Sequence, residues 1–267
     1  MFGLMMITSL FIGSLHGRPL QIESKIEGKT WQKNASISPL LNQEVQLRIS
    51  KRENAEIRWY QIIPDLDTLY KNANHPWEGN PYKWVGFGTI SYDKVELESL
   101  RNQWEVKPLN AIATAGMSRF YSEEAGSFWF QAEVQVGDKI YRSPGLDQTD
   151  YRGLSPKVFR VSVRENDDFI GYLSAYFNVP GLFGSVVYQS KHFIGVDCAD
   201  VLVAAQHQWQ GKRIKKNYNV AMLVNTMKRV KKIGIQGGVP NATLKWGEDF
   251  QRGDIIAVKY AGARKYQ

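Results

Sequence analysis

Residues 127–136, SFWFQAEVQV, alternate apolar side chains with others. Side chains two positions apart share one face of an extended strand, so the alternation predicts one buried face. The residues on that face are Phe128, Phe130, Ala132, Val134 and Val136. The same period of two recurs in residues 44–50, 56–62, 84–92, 103–109 and 157–164. Gly, Pro, Asn and Asp separate these stretches, and the pattern predicts an all-β sandwich.

The segment that leads into this strand, Glu124-Ala-Gly-Ser-Phe-Trp-Phe, gives the sandwich a more specific interpretation. It resembles the approach to a late strand of immunoglobulin-like domains. The resemblance implies an Ig-like β-sandwich over residues 18–166. The chain contains one cysteine, so this sandwich would be of the kind that has no disulfide between its sheets.

The period of the apolar residues becomes helical after residue 166. Residues 169–177, 197–209 and 218–233 are predicted helices, and residues 254–260, DIIAVKY, are a predicted strand. This change divides the chain into two domains, with a C-terminal α+β domain over residues 167–267.

Composition and charge limit the classes of protein. The chain has 267 residues, of which 43% are hydrophobic, and one cysteine, which excludes a disordered chain and a multi-cysteine zinc site. Residues 166–267 carry 14 Lys or Arg against 7 Asp or Glu, whereas residues 18–165 carry 20 against 19. A basic half favours a polyanionic partner, and nucleic acid, anionic lipid and anionic cell-wall polymer all qualify on charge.

The first residues, MFGLMMITSLFIGSL, are almost all apolar or small, and His16-Gly17 follows them. Residues 1–17 are therefore a predicted signal peptide, too short to span a membrane stably. A buried first strand or helix is the alternative. Export would place the protein in the periplasm or cell envelope, where a lone cysteine is unusual because exported cysteines generally pair.

That cysteine, Cys198, opens the predicted helix 197–209. Asp197 is a suitable N-cap, and Asp200 stands at the third helical position, where a carboxylate suits the helix dipole. The dipole and free backbone N–H groups at the helix start are expected to lower the pKa of the Cys198 thiol. Cys198 is thus a candidate nucleophile, and an inert buried cysteine is the alternative.

The segment Gly195-Val-Asp-Cys-Ala-Asp-Val-Leu-Val resembles the Asp-Cys-Ser-Gly-Leu-Val signature of NlpC-type peptidases. These are papain-like cysteine peptidases and amidases that act on bacterial cell walls. Upstream, Pro180-Gly-Leu-Phe-Gly and Tyr188 are similar to the family's Gly-rich turn and tyrosine. Downstream, Gly253-Asp-Ile-Ile-Ala-Val is similar to its Gly-Asp turn and strand. The resemblance covers residues 180–260 and implies a papain-like domain with Cys198 as the catalytic residue.

The sequence departs from the family pattern in two places. Ala199-Asp200 replaces Ser-Gly, and the family's catalytic His, which follows the Gly-Asp strand, is absent from the residues after Asp254. The resemblance therefore implies a domain that is incomplete at its C-terminus, an inactive enzyme, or a different histidine. His207 falls on the opposite helix face from Cys198, and His192 would have to approach across a loop. Asp254 is expected to shape its turn.

Two basic clusters lie in this second half, at Lys212-Arg213-Ile-Lys-Lys and Lys228-Arg229-Val-Lys-Lys. They could steer the protein to an anionic cell-wall polymer, and nucleic acid is disfavoured because no nucleic-acid motif accompanies the charge.

Together these features predict an exported cysteine hydrolase that cleaves a peptide or amide bond in peptidoglycan. A non-catalytic exported protein that binds the cell wall or a partner is the alternative. Neither a metal nor a cofactor is implied.

Overall fold

The computed structural model describes residues 20–66, 77–78, 83–84, 90–113, 119, 121–150, 152–182, 184–214, 216, 218–229 and 231–259. The predicted signal peptide lies outside these residues. The described part is a mixed α+β protein with many strands in several sheets and four α-helices. Its strands are β1 (Glu23–Ile26), β2 (Ser36–Ile37), β3 (Val45–Arg48), β4 (Ala55–Pro64), β5 (Trp77–Glu78), β6 (Lys83–Trp84), β7 (Tyr92–Glu96), β8 (Glu105–Val106), β9 (Gly126–Val136), β10 (Lys139–Arg142), β11 (Thr149–Asp150), β12 (Gly153–Leu154), β13 (Phe159–Val163), β14 (Ile235–Gln236) and β15 (Val239–Pro240). Its helices are α1 (Phe169–Ser174), α2 (Val187–Lys191), α3 (Cys198–Trp209) and α4 (Val220–Thr226).

Two sheets hold most of these strands. One has the order β1-β3-β8, and the other has the order β2-β13-β9-β4-β7 with β10 paired to β9. Side chains of both sheets belong to one hydrophobic core, in which Leu47, Trp59, Phe128 and Phe130 are fully buried. The prediction that alternate residues of 127–136 face a core is confirmed, because alternation places them on one side of β9.

The helices cover the opposite face of the larger sheet. Ile62 of β4 and Trp129 of β9 belong to a second hydrophobic cluster with Tyr176, Ala204 and Ala205 from the helical segment. Strand β9 is therefore buried on both faces, which explains its nearly continuous apolar start. The hydrophobic cluster of the segment after residue 166 therefore includes side chains of the sheet that precedes it in the sequence.

Two predicted elements are much shorter than expected. The strand predicted over residues 103–109 is β8 alone, because Pro108 begins a 3-10 helix, Pro108–Ala111. The helix predicted over residues 218–233 ends at Thr226. A longer helix would bring Lys228, Lys231 and Lys232 together at spacings of three and four residues, where like charges repel.

Two further strand predictions fare differently. Residues 254–259 form no strand, and Ile255 and Ile256 are exposed, so the prediction over 254–260 is wrong for the part that the structure describes. Among the described residues, no strand pairs with this segment. The strand predicted over residues 84–92 overlaps β6 at Trp84 and β7 at Tyr92. Residues 85–89 lie outside the described residues. Among the described helices, none is long and apolar enough to cross a membrane.

Candidate functional site

Cys198 is the first residue of helix α3, as predicted. Asp197 caps the helix through its Oδ1 atom, which accepts backbone N–H bonds from Ala199 at 2.9 Å and Asp200 at 2.8 Å. The helix behind the cysteine is buried at Ala199, Val203, Ala204 and Ala205, whereas Cys198 itself is exposed. The alternative interpretation was an inert buried cysteine, and its burial is wrong because Cys198 is exposed.

The first backbone N–H groups of α3 affect the thiol. Those of Cys198 and Ala199 act to lower its pKa. A helix leaves its first N–H groups without partners inside the helix, and here the N–H of Ala199 donates to Oδ1 of Asp197. The N–H of Cys198 could stabilise negative charge that develops next to the sulfur during an acyl transfer.

The pKa of the Cys198 thiol is nevertheless raised, and the prediction of a lowered value is wrong. Partial desolvation of the sulfur is the largest cause, and the charge of Asp197 is the next, with a smaller contribution from Asp200. The two N–H groups act in the opposite direction and are outweighed. The sequence predicts only a helix-start role for both carboxylates, yet each also opposes a thiolate.

The raised pKa predicts the pH dependence of thiol alkylation. Cys198 is the one cysteine of the chain, so intact mass after treatment with iodoacetamide follows this residue. Because the thiolate is the reactive form, we expect slow alkylation at pH 7 and a midpoint above that of a cysteine-containing peptide measured in parallel, whose thiol pKa is about 8.5. Full reactivity at pH 7 would contradict the description of the site.

A short parallel pairing places residues 180–182 beside the start of α3. The backbone N–H of Leu182 donates to the carbonyl of Val196 at 2.8 Å, and the N–H of Val196 donates to the carbonyl of Pro180 at 3.0 Å. Gly195 permits this approach, since a Cβ atom there would lie 2.1 Å from Cδ1 of Leu182. This pairing therefore holds part of the turn that resembles the family's Gly-rich turn beside Val196, which precedes Cys198 by two positions in the sequence.

Ser185 follows this turn and forms a connection that the sequence pattern did not predict. Its hydroxyl accepts the backbone N–H of Asp197 at 2.9 Å and donates to Oδ2 of Asp200 at 2.6 Å. Ser185 and Asp200 are both buried, and burial raises the pKa of Asp200. Their separation of fifteen residues in the sequence gives no periodic signal that could have paired them.

His192 is the C-cap residue of helix α2, and its ring lies against Tyr188 with the two centroids 4.8 Å apart. Its backbone carbonyl accepts a bond from Nη1 of Arg160 at 2.9 Å. Desolvation, followed by the charges of Lys191 and Arg160, lowers the pKa of His192. Within the described residues no hydrogen bond joins its imidazole to Cys198.

Two other residues considered in the sequence analysis are His207 and Asp254. His207 is nine positions along α3, and its Nδ1 atom is buried without a hydrogen-bond partner in the described part of the chain. Asp254 accepts the backbone N–H of Gln251 at 2.8 Å, the turn-shaping role expected of it. The second basic cluster is partly neutralised, since Lys231 pairs with Asp249.

No family model, curated protein or solved structure matches the chain. Among the residues that the structure describes, no group of three or more His, Cys, Asp or Glu side chains could hold a metal ion. The candidate site is therefore defined by its own geometry, which is an exposed thiol on the first turn of a buried helix.

Proposed function

We propose that the chain is an exported cysteine hydrolase of NlpC type that cleaves a peptide or amide bond in peptidoglycan. One observation carries the proposal: the exposed Cys198 is the first residue of a largely buried helix, and the backbone N–H groups at that helix start act to lower the pKa of its thiol. A cysteine nucleophile needs this combination of access and fixed electrostatic support. The resemblance around residues 195–203 supplies the substrate class.

The chemistry of the site follows the order of an acyl transfer. The Cys198 sulfur attacks the carbonyl carbon, an S–C bond forms, and the C–N bond breaks as the thiol proton passes to the leaving amine. Water then hydrolyses the thioester and regenerates the thiol. Because the thiol pKa is raised, the group is protonated at rest, and a general base must accept its proton during attack. The family resemblance assigns this role to an imidazole.

The rest of the chain would serve delivery and positioning. Residues 1–17 would direct export, the Ig-like sandwich of residues 18–166 would position the enzyme, and the papain-like domain of residues 167–267 would carry the chemistry. The exposed residues Lys212, Arg213, Lys228 and Arg229 would attract an anionic cell-envelope polymer.

A second candidate is a non-catalytic exported protein that binds the cell wall. The raised thiol pKa favours it, because a protonated thiol with no imidazole bonded to it in the described residues is a weak nucleophile. In this case the basic face would bind the polymer and Cys198 would have no chemical part.

Acyl-enzyme formation separates the two candidates. The full chain is incubated with a panel of muropeptides, and intact mass and released amine are measured over time. The hydrolase is expected to gain the mass of an acyl fragment and to release an amine, while Cys198→Ser, which keeps the helix start, should give neither the thioester nor thiol-dependent turnover. Retention of the muropeptides without adduct or cleavage would support the binding protein.

The same assay tests His192 as the base. His192→Ala should leave the alkylation of Cys198 at high pH unchanged, because that reaction needs no base. A large loss of muropeptide cleavage in this variant would assign the proton transfer to His192, and unchanged cleavage would exclude it.

A further inference from the structure

Exposed hydrophobic side chains are concentrated near the end of the chain. Of the thirteen large hydrophobic residues that are exposed in the described part, two lie in residues 20–176 and six lie in residues 227–256. Those six are Met227, Ile235, Val239, Trp246, Ile255 and Ile256. A single exposed hydrophobic residue is ordinary, whereas several in one short segment indicate an interaction surface.

The same segment is strongly basic. Residues 227–259 carry seven Lys or Arg against three Asp or Glu, and all seven basic side chains belong to exposed residues. Two of the three acidic residues pair within the segment, Asp249 with Lys231 and Glu248 with Lys245. Positive charge and exposed apolar surface therefore coincide in residues 227–259, and a negatively charged partner complements them.

The hairpin of β14 and β15 presents apolar side chains on both of its faces. Ile235 lies opposite Pro240 and Gln236 lies opposite Val239, so Ile235 and Val239 point to opposite sides. Their exposed fractions are 57% and 65%, and no third strand joins this sheet in the described residues. A rigid partner would cover one face of such a hairpin, whereas a fluid medium can surround both faces.

The turn that follows the hairpin adds an exposed tryptophan and is connected to the rest of the segment. The ring of Trp246 contacts that of Phe250, with the centroids 5.2 Å apart, and the Lys231–Asp249 ion pair joins this turn to the chain before β14. Arg252 lies 3.8 Å from Asp168, the N-cap of α1. Tryptophan is enriched where an apolar layer meets water, because its ring is apolar and its N–H is polar.

We propose that residues 227–259 bind the surface of an anionic lipid bilayer. Their lysines and arginines contact the headgroup phosphates, while Ile235, Val239 and Trp246 enter the boundary between headgroups and acyl chains. An anionic polymer would satisfy the charges but would leave these apolar side chains in water, so the lipid surface is favoured. Such binding goes beyond the proposed function, since it requires no reaction of Cys198.

Flotation of the full chain with lipid vesicles tests the proposal. One set of vesicles contains phosphatidylglycerol and phosphatidylcholine in equal parts, and the other contains phosphatidylcholine alone. We expect the chain to float with the anionic vesicles only. Lys228→Glu combined with Arg229→Glu should weaken this binding at least about tenfold, because each reversal replaces attraction to the phosphates by repulsion. Ile235→Ser combined with Val239→Ser should weaken it by a similar factor, because less apolar surface leaves water.

Ile140→Ser is the matched control. Ile140 is 46% exposed and lies on β10, which forms a hairpin with β9 and begins at Lys139. It is therefore another exposed isoleucine of a hairpin beside a lysine, but outside residues 227–259, and its replacement should leave vesicle binding unchanged. All the substituted residues are exposed, and circular dichroism of each variant establishes that the fold is retained.

Four outcomes would overturn the proposal. The first is a chain that does not float with anionic vesicles, and the second is equal binding to both sets of vesicles. The third is binding that salt abolishes but the serine variants do not weaken, which would assign the segment to an anionic polymer. The fourth is a dimer in sedimentation equilibrium that the serine variants dissociate, because a second copy would then cover the apolar side chains.

Discussion

Trp129→Ala is expected to lower the free energy of unfolding by about 3–5 kcal/mol. Trp129 lies on β9 and is 4% exposed, in the cluster that joins the larger sheet to the helices. Truncation removes apolar surface from the cluster that also contains Tyr176 and Ala204, and it leaves a cavity between two rigid layers that cannot close it fully. Urea denaturation followed by far-UV circular dichroism measures the loss.

Trp246→Ala is the control for the loss of a tryptophan. Trp246 is 68% exposed and its ring contacts Phe250, so its replacement should cost less than about 1 kcal/mol. Equal losses for the two variants would mean that Trp129 does not support the helical layer. A second unfolding transition in Trp129→Ala would show that residues after 166 unfold separately from the sheet, which also tests the proposed division into domains.

The sequence predicted the strands best where alternation and burial coincide. Phe128 and Phe130 face one core and Trp129 faces the other, so the local pattern carried the information for β9. For the helix predicted over residues 218–233 and the strand predicted over residues 254–260, the only support was the period of the apolar residues. The length of the helix depends on repulsion between its like charges, and the strand depends on a neighbouring strand. The period of the apolar residues determines neither.

The candidate site likewise has features that the local sequence predicted and features that it did not. The capping role of Asp197 depends on residues within three positions, and it was predicted correctly. The raised pKa of Cys198 was missed because it depends on desolvation of the sulfur and on where two carboxylates lie around it. The Ser185 bond to Asp200 is set by the pairing of residues 180–182 with Val196, a tertiary contact that local sequence does not specify.

Gly126→Ala is expected to lower the free energy of unfolding by about 2–5 kcal/mol, the combined cost of a left-handed conformation and of overpacking. Gly126 has a φ of +117°, and a Cβ atom there would lie 2.6 Å from the carbonyl oxygen of Phe177. The same oxygen accepts the N–H of Ser127 at 2.9 Å. The methyl group would therefore force the segment after α1 away from the start of β9.

Gly137→Ala separates the two costs. Gly137 has a φ of +57° in the turn between β9 and β10, and a Cβ atom there would meet no other atom of the described residues within 4 Å. Alanine at this position incurs only the conformational cost, about 1–2 kcal/mol. Urea denaturation of both variants measures the difference, which we attribute to the close approach of Phe177. Since that approach holds the segment between α1 and α2 against the start of β9, equal losses at the two glycines would show that the contact places no constraint on the helical layer.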